Sequence, residues 1–363
     1  MKGSLNAFEF ADIVEAAFLN TSNKFNVRKV PVADGGDFTG EVLKHALNAK
    51  DVYLTINGPL GGKVKTKYAF SKDDTAIIEM ADASGMKLVQ ENQLNPMEAS
   101  SFGTGQLVLD AIEKGCTQIY LGIGGSATVD GGAGMLEALG FKLMDGNGNR
   151  LKGCGKNLVE IQNIRSPEKV KNIRIKIISD VDNPLLGEQG AAQVFGPQKG
   201  ASPEMVKKLE NGLENWSNLL EKENGRNLQN IEGAGAAGGV ALPLITFFNA
   251  EIVPGADFIL QQLDFETHLK WADLVITGEG KIDGQTLNTK APMAVAKMSR
   301  RFGKPVIALG GSVDYKATDI FDGIFSIINK PLSLQDAMKK ADVLLSESAS
   351  QIARLICALK MKK

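Results

Sequence analysis

Cys116–Gly134 reads CTQIYLGIGGSATVDGGAG. An apolar run, Cys116–Leu121, passes directly into a glycine-crowded turn, and Met135–Leu139 then continues with helical spacing up to Gly140. Three more stretches have the same grammar. Ile173–Ser179 (IRIKIIS) enters Asp180–Gly187 (DVDNPLLG), and Leu274–Thr277 (LVIT) enters Gly278–Thr286 (GEGKIDGQT) ahead of a helix near Ala291–Arg301. Val306–Leu309 leads into Gly310–Ser312. Strands rich in Ile, Val and Leu that alternate with helices predict a parallel sheet covered by helices on both faces. In such sheets ligands bind beyond the carboxyl ends of the strands, where all four turns lie.

Working outward, Leu107, Val108, Ala111 and Ile112 predict a helix capped by Thr104 and closed by Lys114 and Gly115. Val206, Leu209, Leu213, Trp216 and Leu220 recur at spacings of three and four, a surface helix with one buried stripe. Ala341–Leu359 predicts another. From Tyr53 to Met80 the pattern becomes short alternating strands with turns at Asn57–Gly62 and Lys72–Asp74, which predicts a hairpin-bearing second domain rather than more of the same sheet.

The bulk properties bound the function. At 363 residues the chain suits about two domains. Lys and Arg number 41 against 42 Asp and Glu, a net charge of −1, which argues against a nucleic-acid or anionic-membrane surface. No apolar run reaches the roughly 20 residues of a membrane span. Glu9, Asp12 and Glu15 are out of place in a secretory or transit peptide, so a cytoplasmic location is expected. Three widely spaced cysteines read as free thiols. Two isolated histidines, His45 and His268, make a zinc site or a Ser–His–Asp hydrolase improbable. A homo-oligomer is allowed but not specified.

Several turns carry chemistry. Gly122, Gly124 and Ala127 satisfy the dinucleotide spacing G-x-G-x-x-A, and Asp145 ends a strand-like FKLMD at a suitable distance for a ribose contact. Ser126, Thr128 and Asp130 pull the other way: hydroxyls and a nest of backbone N–H groups suit phosphate oxygens, and a carboxylate suits magnesium. Glu279, Lys281 and Asp283 could hold a divalent ion and neutralise a moving phosphoryl group, or form a solvated helix start. Asp180, directly after a buried strand, could orient or deprotonate a substrate hydroxyl, while Asp182 and Asn183 suit an Asx-turn ahead of Pro184. Asp34 and Asp37 bracket a Gly-Gly pair, Lys199 offers a partner for phosphate or carboxylate, and Gly233–Val240 permits close backbone approach to a ligand or a helix. There is no P-loop and no H-R-D catalytic loop. The residues alone reach an α/β enzyme that handles phosphate-bearing ligands.

Together these segments resemble the type-1 glycerate kinase family. The resemblance runs in order through KGSL (2–5), PVADGGD (31–37), GPLG (58–61), EMADASGMKLV (79–89), SSFGTGQL (100–107), GIGGSATVDGGAGM (122–135), DVDNPLLGEQGAAQVFGPQKGA (180–201), GAGAAGG (233–239) and DLVITGEGKIDGQT (273–286). It implies ATP- and magnesium-dependent phosphorylation of D-glycerate, with 2-phosphoglycerate favoured over 3-phosphoglycerate. It also implies a Rossmann- or flavodoxin-like parallel-sheet domain (1–52 with 270–363), a second α/β domain with a mixed sheet (53–269), and a cleft between them.

Carried over by motif, the implied catalytic residues are Asp180, Lys199 and Asp34, with Asn183 at a further shared position. Gly124, Gly125, Ser126, Thr128, Lys2 and Ser4 would hold nucleotide phosphates, and Glu279, Asp283 and Asp130 magnesium. The sequence departs from the family pattern at Val129, where an Asn is usual, and at Thr289, where a Gly is usual. The resemblance further implies an apolar strand and an Asp ahead of Lys2, so low stability is expected of the chain as written. The competing expectations are a non-catalytic nucleotide- or hydroxy-acid-binding relative and an NAD-dependent dehydrogenase.

Overall fold

A computed structural model describes residues 4–33, 35–36, 38–168, 172–283, 291–314 and 319–360. By contacts the chain divides into a larger unit, 35–255, and a smaller one, 1–34 with 256–363. The sequence put the divisions near 52 and 269. The first falls elsewhere because strand β1 (Lys50–Asn57) pairs along its whole length with β2 (Lys63–Phe70), inside the larger unit, and the second because Ala256, Leu260, Phe265 and Leu269 pack with Ala294 and Val295 of the smaller one.

The larger unit is built on one six-stranded mixed sheet. Beside β1 and β2 it contains β3 (Thr75–Glu79), β4 (Gln118–Gly122), β8 (Arg174–Ile178) and β9 (Glu251–Val253), in the order β1-β2-β3-β4-β8-β9. The first three strands are antiparallel and the last four run parallel. The hairpins expected between Tyr53 and Met80 are therefore present, but they extend the sheet of β4 and β8 instead of forming a separate layer. β3 makes the join: it takes its antiparallel bonds from β2 on one edge and its parallel bonds from β4 on the other.

A small antiparallel sheet of β5 (Lys142–Met144), β6 (Arg150–Leu151) and β7 (Asn163–Arg165), ordered β6-β5-β7, stands apart. The helix Pro203–Asn224 turns Val206, Leu209, Leu213, Trp216 and Leu220 into the core, the stripe that the spacing predicted. The helix Phe102–Glu113 begins three residues earlier than a Thr104 cap would place it, with Ser101 at the cap position. The Thr104 hydroxyl lies inside the first turns, 2.8 Å from Ser84 Oγ, and both groups are buried.

The smaller unit carries a parallel sheet of β10 (Val275–Ile282), β11 (Val306–Val313) and β12 (Gly323–Ser326). The helix Ala7–Thr21 starts at a capping box, in which Asn6 Oδ1 accepts the Glu9 N–H and Glu9 returns a carboxylate to the Asn6 N–H. It packs Val14, Ala17 and Phe18 against Leu345, Ala349 and Ile352 of the helix Ala341–Lys360. Among the described residues no helix is long and apolar enough to cross a membrane.

Candidate functional site

In the larger unit, the parallel order of β3, β4 and β8 brings three chain turns to one sheet edge. A methyl group placed on Gly124 would sit 3.5 Å from the carbonyl oxygen of Gly35 and from Gly36 Cα, so the turn after β4 runs against the Gly-Gly pair of the 31–37 segment. Gly35, at φ +85°, lies in turn against the amide nitrogen of Asp180 and against Gly255. Asp180 is partly buried, and its Oδ1 accepts the Gly255 N–H at 2.7 Å. A carboxylate held in this way at a strand end can orient a substrate hydroxyl.

Glu79, at the end of β3, is a second such carboxylate. It accepts the Gly40 N–H, in the first turn of the helix Thr39–Ala46, and crowds Gly122 so closely that a side chain there would lie 2.8 Å from its Oε2. Sequence reasoning passed over Glu79, although the rule that singled out Asp180, an acid directly after a buried strand, applies to it equally.

The turn after β4 also explains its own residues. Gly125, Gly131 and Gly132 have φ of +68°, +57° and +73°, values that L side chains rarely adopt. Lys199 is 2% exposed and donates to Ser126 Oγ (2.9 Å) and to the carbonyl oxygen of Thr128 (2.7 Å). Burial pulls its amine down to about 7, opposed by the charge of Asp130. Ser126 is 4% exposed. Thr128 is fully buried, and among the described residues its hydroxyl has no hydrogen-bond partner.

Asp130, expected to serve magnesium, is engaged by donors of its own loop–helix junction. It is fully buried. Its Oδ2 accepts from Ser101 N–H and Ser101 O–H, both at 2.7 Å, and from Gly134 N–H at 3.3 Å, while Oδ1 accepts from Gly132 N–H at 3.2 Å. Burial pushes its carboxyl upward against these donors. Three donors converge on Oδ2 and one on Oδ1, so the carboxylate is engaged by the loop–helix junction around it. Val129 beside it is wholly in the core.

The dinucleotide reading fails on the same ground plan. Asp145 does not end a parallel strand. It sits in the turn between β5 and β6, where it accepts from the backbone N–H groups of Asn147 and Asn149 and from Asn149 Nδ2. The glycine run 233–239 serves backbone packing: a methyl on Gly235 would meet the Pro184 carbonyl oxygen at 2.1 Å, and one on Gly238 the Thr128 carbonyl oxygen at 2.4 Å. Asn183 Nδ2 donates to the Gln189 carbonyl oxygen. A hollow of about 540 Å³ lies against β1 and β2, lined by Tyr53, Lys65, Lys67 and Lys87 among others, and contains none of the expected site residues.

In the smaller unit, Glu279 and Lys281 alternate to one face of β10, and Asp283 follows at the strand end. Lys281 and Asp283 are paired at 2.7 Å, with the lysine largely exposed and the aspartate mostly covered. That pairing raises the Lys281 amine. Ser4 lies in a turn and is partly buried. Lys2, Asp34 and Thr289 lie outside the described residues. Among the described residues no group of three or more His, Cys, Asp or Glu side chains gathers as a metal cage would. Magnesium does not require one, since it is commonly held by one or two carboxylates, waters and substrate phosphates. The oxygen donors of Glu279 and Asp283 fit that mode, whereas Asp130 is fully buried among its own donors.

The chain is similar along nearly its whole length to proteins of known assignment. A glycerate kinase of Halalkalibacterium halodurans is 42% identical over 360 residues, covering 97% of this chain and 95% of its own. A glycerate 2-kinase of Escherichia coli K12 is 40% identical over 348 residues, covering 94% and 91%. A crystal structure assigned to glycerate kinase 2 of Salmonella typhimurium LT2 superposes with a TM-score of 0.88 at 38% identity, covering 99% of this chain and 96% of that one. These likenesses support neither a non-catalytic relative nor a dehydrogenase. With the glycerate kinase family model matching residues 1–357, the chain belongs to the glycerate kinase family and is a kinase.

Proposed function

We propose that the chain transfers the γ-phosphoryl group of ATP to D-glycerate and releases 2-phosphoglycerate, in the manner of the type-1 members of its family. The observation that carries this reading is the turn after β4. Two hydroxyls (Ser126 and Thr128) gather there around a buried lysine, and Gly124 of the same turn lies against the Gly35–Gly36 pair that also packs on the Asp180 backbone, so hydroxyl donors and a strand-end carboxylate belong to neighbouring turns. Phosphoryl transfer is catalysed chiefly by positioning and charge stabilisation, which this arrangement supplies.

In this mechanism the Gly124–Thr128 turn receives phosphate oxygens. Asp180, braced by the Gly255 N–H, accepts a hydrogen bond from the reacting hydroxyl and takes its proton as the new P–O bond forms. Asp34, Lys2 and Ser4 are assigned to the same ligands by motif. Glu279 and Asp283 would hold magnesium, which when bound neutralises phosphate charge. The name of the Escherichia coli relative favours the 2-hydroxyl.

The test is ADP release that requires magnesium, ATP and D-glycerate, with L-glycerate as control. Turnover selective for the D-acid is expected, and NAD reduction with no ADP formed would overturn the reading. Asp180→Asn retains an acceptor for Gly255 and should fold, but it lacks the basic oxygen. We expect kcat to drop about 100-fold or more, and near-normal turnover would remove Asp180 from the role of base.

A further inference from the structure

Ser126 and Thr128 present a problem of hydrogen-bond direction. Among the described residues the only partner of Ser126 Oγ is Lys199 Nζ, and Thr128 Oγ1 has none, although both side chains are buried. Buried donors without acceptors are uncommon in native structures and call for an explanation. An ammonium has three donors and no lone pair, so toward Lys199 the serine oxygen can only accept. Its own hydrogen must then point elsewhere, and no described protein group receives it.

We infer that Lys199 is a positioning residue: as an ammonium it holds Ser126 Oγ in the accepting role and so aims the Ser126 O–H at an anionic oxygen of the ligand, phosphate or carboxylate, seated on the turn after β4. Lys199 acts through Ser126 and does not itself touch the ligand. The neutral amine has a lone pair and can accept from Ser126, so deprotonation lets the hydroxyl turn inward and the outward donor disappears. Ligand binding at this turn is therefore linked to uptake of a proton on Lys199.

The surroundings put this titration within reach. Lys199 is 2% exposed, its two hydrogen-bond partners are uncharged, and burial pulls the amine down to about 7. Among the described residues the charged group that acts on it is Asp130, whose carboxylate is already engaged by Ser101, Gly132 and Gly134. Next to Asp130 lies the Cys154 thiol, which burial keeps protonated by pushing it up. A bound anion favours the ammonium, so the proton stays on Lys199 to higher pH in the complex than in the free protein.

This inference rests on the proposed kinase reading, and the experiment separates the two. Calorimetric titrations with ADP and, separately, with D-glycerate are run at pH 6 and pH 9 on the wild type and on Ser126→Ala. Titrations at pH 8 in two buffers of different ionisation enthalpy add the proton count. For the ligand that uses this turn, Ser126→Ala binds about tenfold more weakly at pH 6, the worth of one charge-assisted hydrogen bond. The gap closes to within about twofold at pH 9, and wild-type binding at pH 8 takes up protons. The response of ADP or of D-glycerate identifies whether phosphate or carboxylate sits there.

Equal weakening at both pH values, or binding of both ligands with no proton uptake at pH 8, would overturn the inference while leaving the kinase reading intact. If neither ligand binds the folded wild type, the kinase reading itself fails. Proton uptake is measured on the unaltered protein, so the inference stays open to refutation even if Ser126→Ala does not fold.

Discussion

Lys199 is also the residue whose burial should be most visible in the stability of the chain. In the unfolded state its amine titrates near the usual value of about 10.4, and in the folded state near 7. Between those values the unfolded chain binds the extra proton, so unfolding becomes harder as pH rises. This one group adds up to about 1.4 kcal/mol of stability per pH unit between roughly pH 8 and pH 10. Lys199→Met removes that contribution. Urea unfolding across this range should therefore show the wild type gaining on the variant by about 1 kcal/mol per unit. Parallel curves would mean that Lys199 remains charged when buried. The type and position of this residue were legible from GPQKG alone, which offers a cation in a glycine turn. What could not be read was the direction of the side chain: into the β4 turn at Ser126 and Thr128, instead of out toward a ligand. Asp130 poses the same problem, since a carboxylate in a glycine loop looks identical in sequence whether it faces a metal or its own backbone.

Among the elements, those with one dominant physical signal were legible. β4 and β8 are short Ile- and Leu-rich runs that are mostly buried, β10 and β11 open with runs of the same kind, and the helix Pro203–Asn224 repeats its apolar stripe over many turns. The hairpin strands β1 to β3 were found, but their sheet was not. Membership of a sheet is decided by which edge pairs with β4, and local alternation does not encode that. The long helix has a second role that spacing alone did not reveal. The Cδ1–Nε1 edge of the Trp216 indole crowds Gly131, where any side chain would collide at 2.4 Å, and its Nε1–H donates to the Gly131 carbonyl oxygen at 2.8 Å. The helix thus anchors the far end of the turn that carries Ser126 and Thr128. Trp216→Phe leaves a buried carbonyl oxygen without its donor and a void the size of the missing ring. We expect a loss of about 2–3 kcal/mol in urea unfolding. A cost below about 0.5 kcal/mol would show that the turn is held by its own backbone bonds, Gly131 N–H to the Gly238 carbonyl oxygen among them.

At the scale of the whole molecule the remaining question is regiochemistry, which no single element fixes. D-glycerate offers a primary hydroxyl at C3 and a secondary one at C2, and the primary one is the less hindered nucleophile. Favouring the secondary hydroxyl by about 100 to 1 requires roughly 2.7 kcal/mol of difference between the two transition states. That is the worth of one or two charged hydrogen bonds that fix the substrate carboxylate and so dictate which hydroxyl faces the phosphorus. Binding of this kind depends on placement to within about an ångström, beyond what motif spacing conveys. The product distinguishes the outcomes directly in a proton-coupled phosphorus NMR spectrum. A phosphate on C2 couples to one geminal proton and gives a doublet, whereas one on C3 couples to two and gives a triplet. We expect the doublet to dominate from the earliest time points. A triplet would leave the kinase assignment standing while showing that the reacting hydroxyl is the primary one, with the substrate carboxylate one carbon further from the site of transfer.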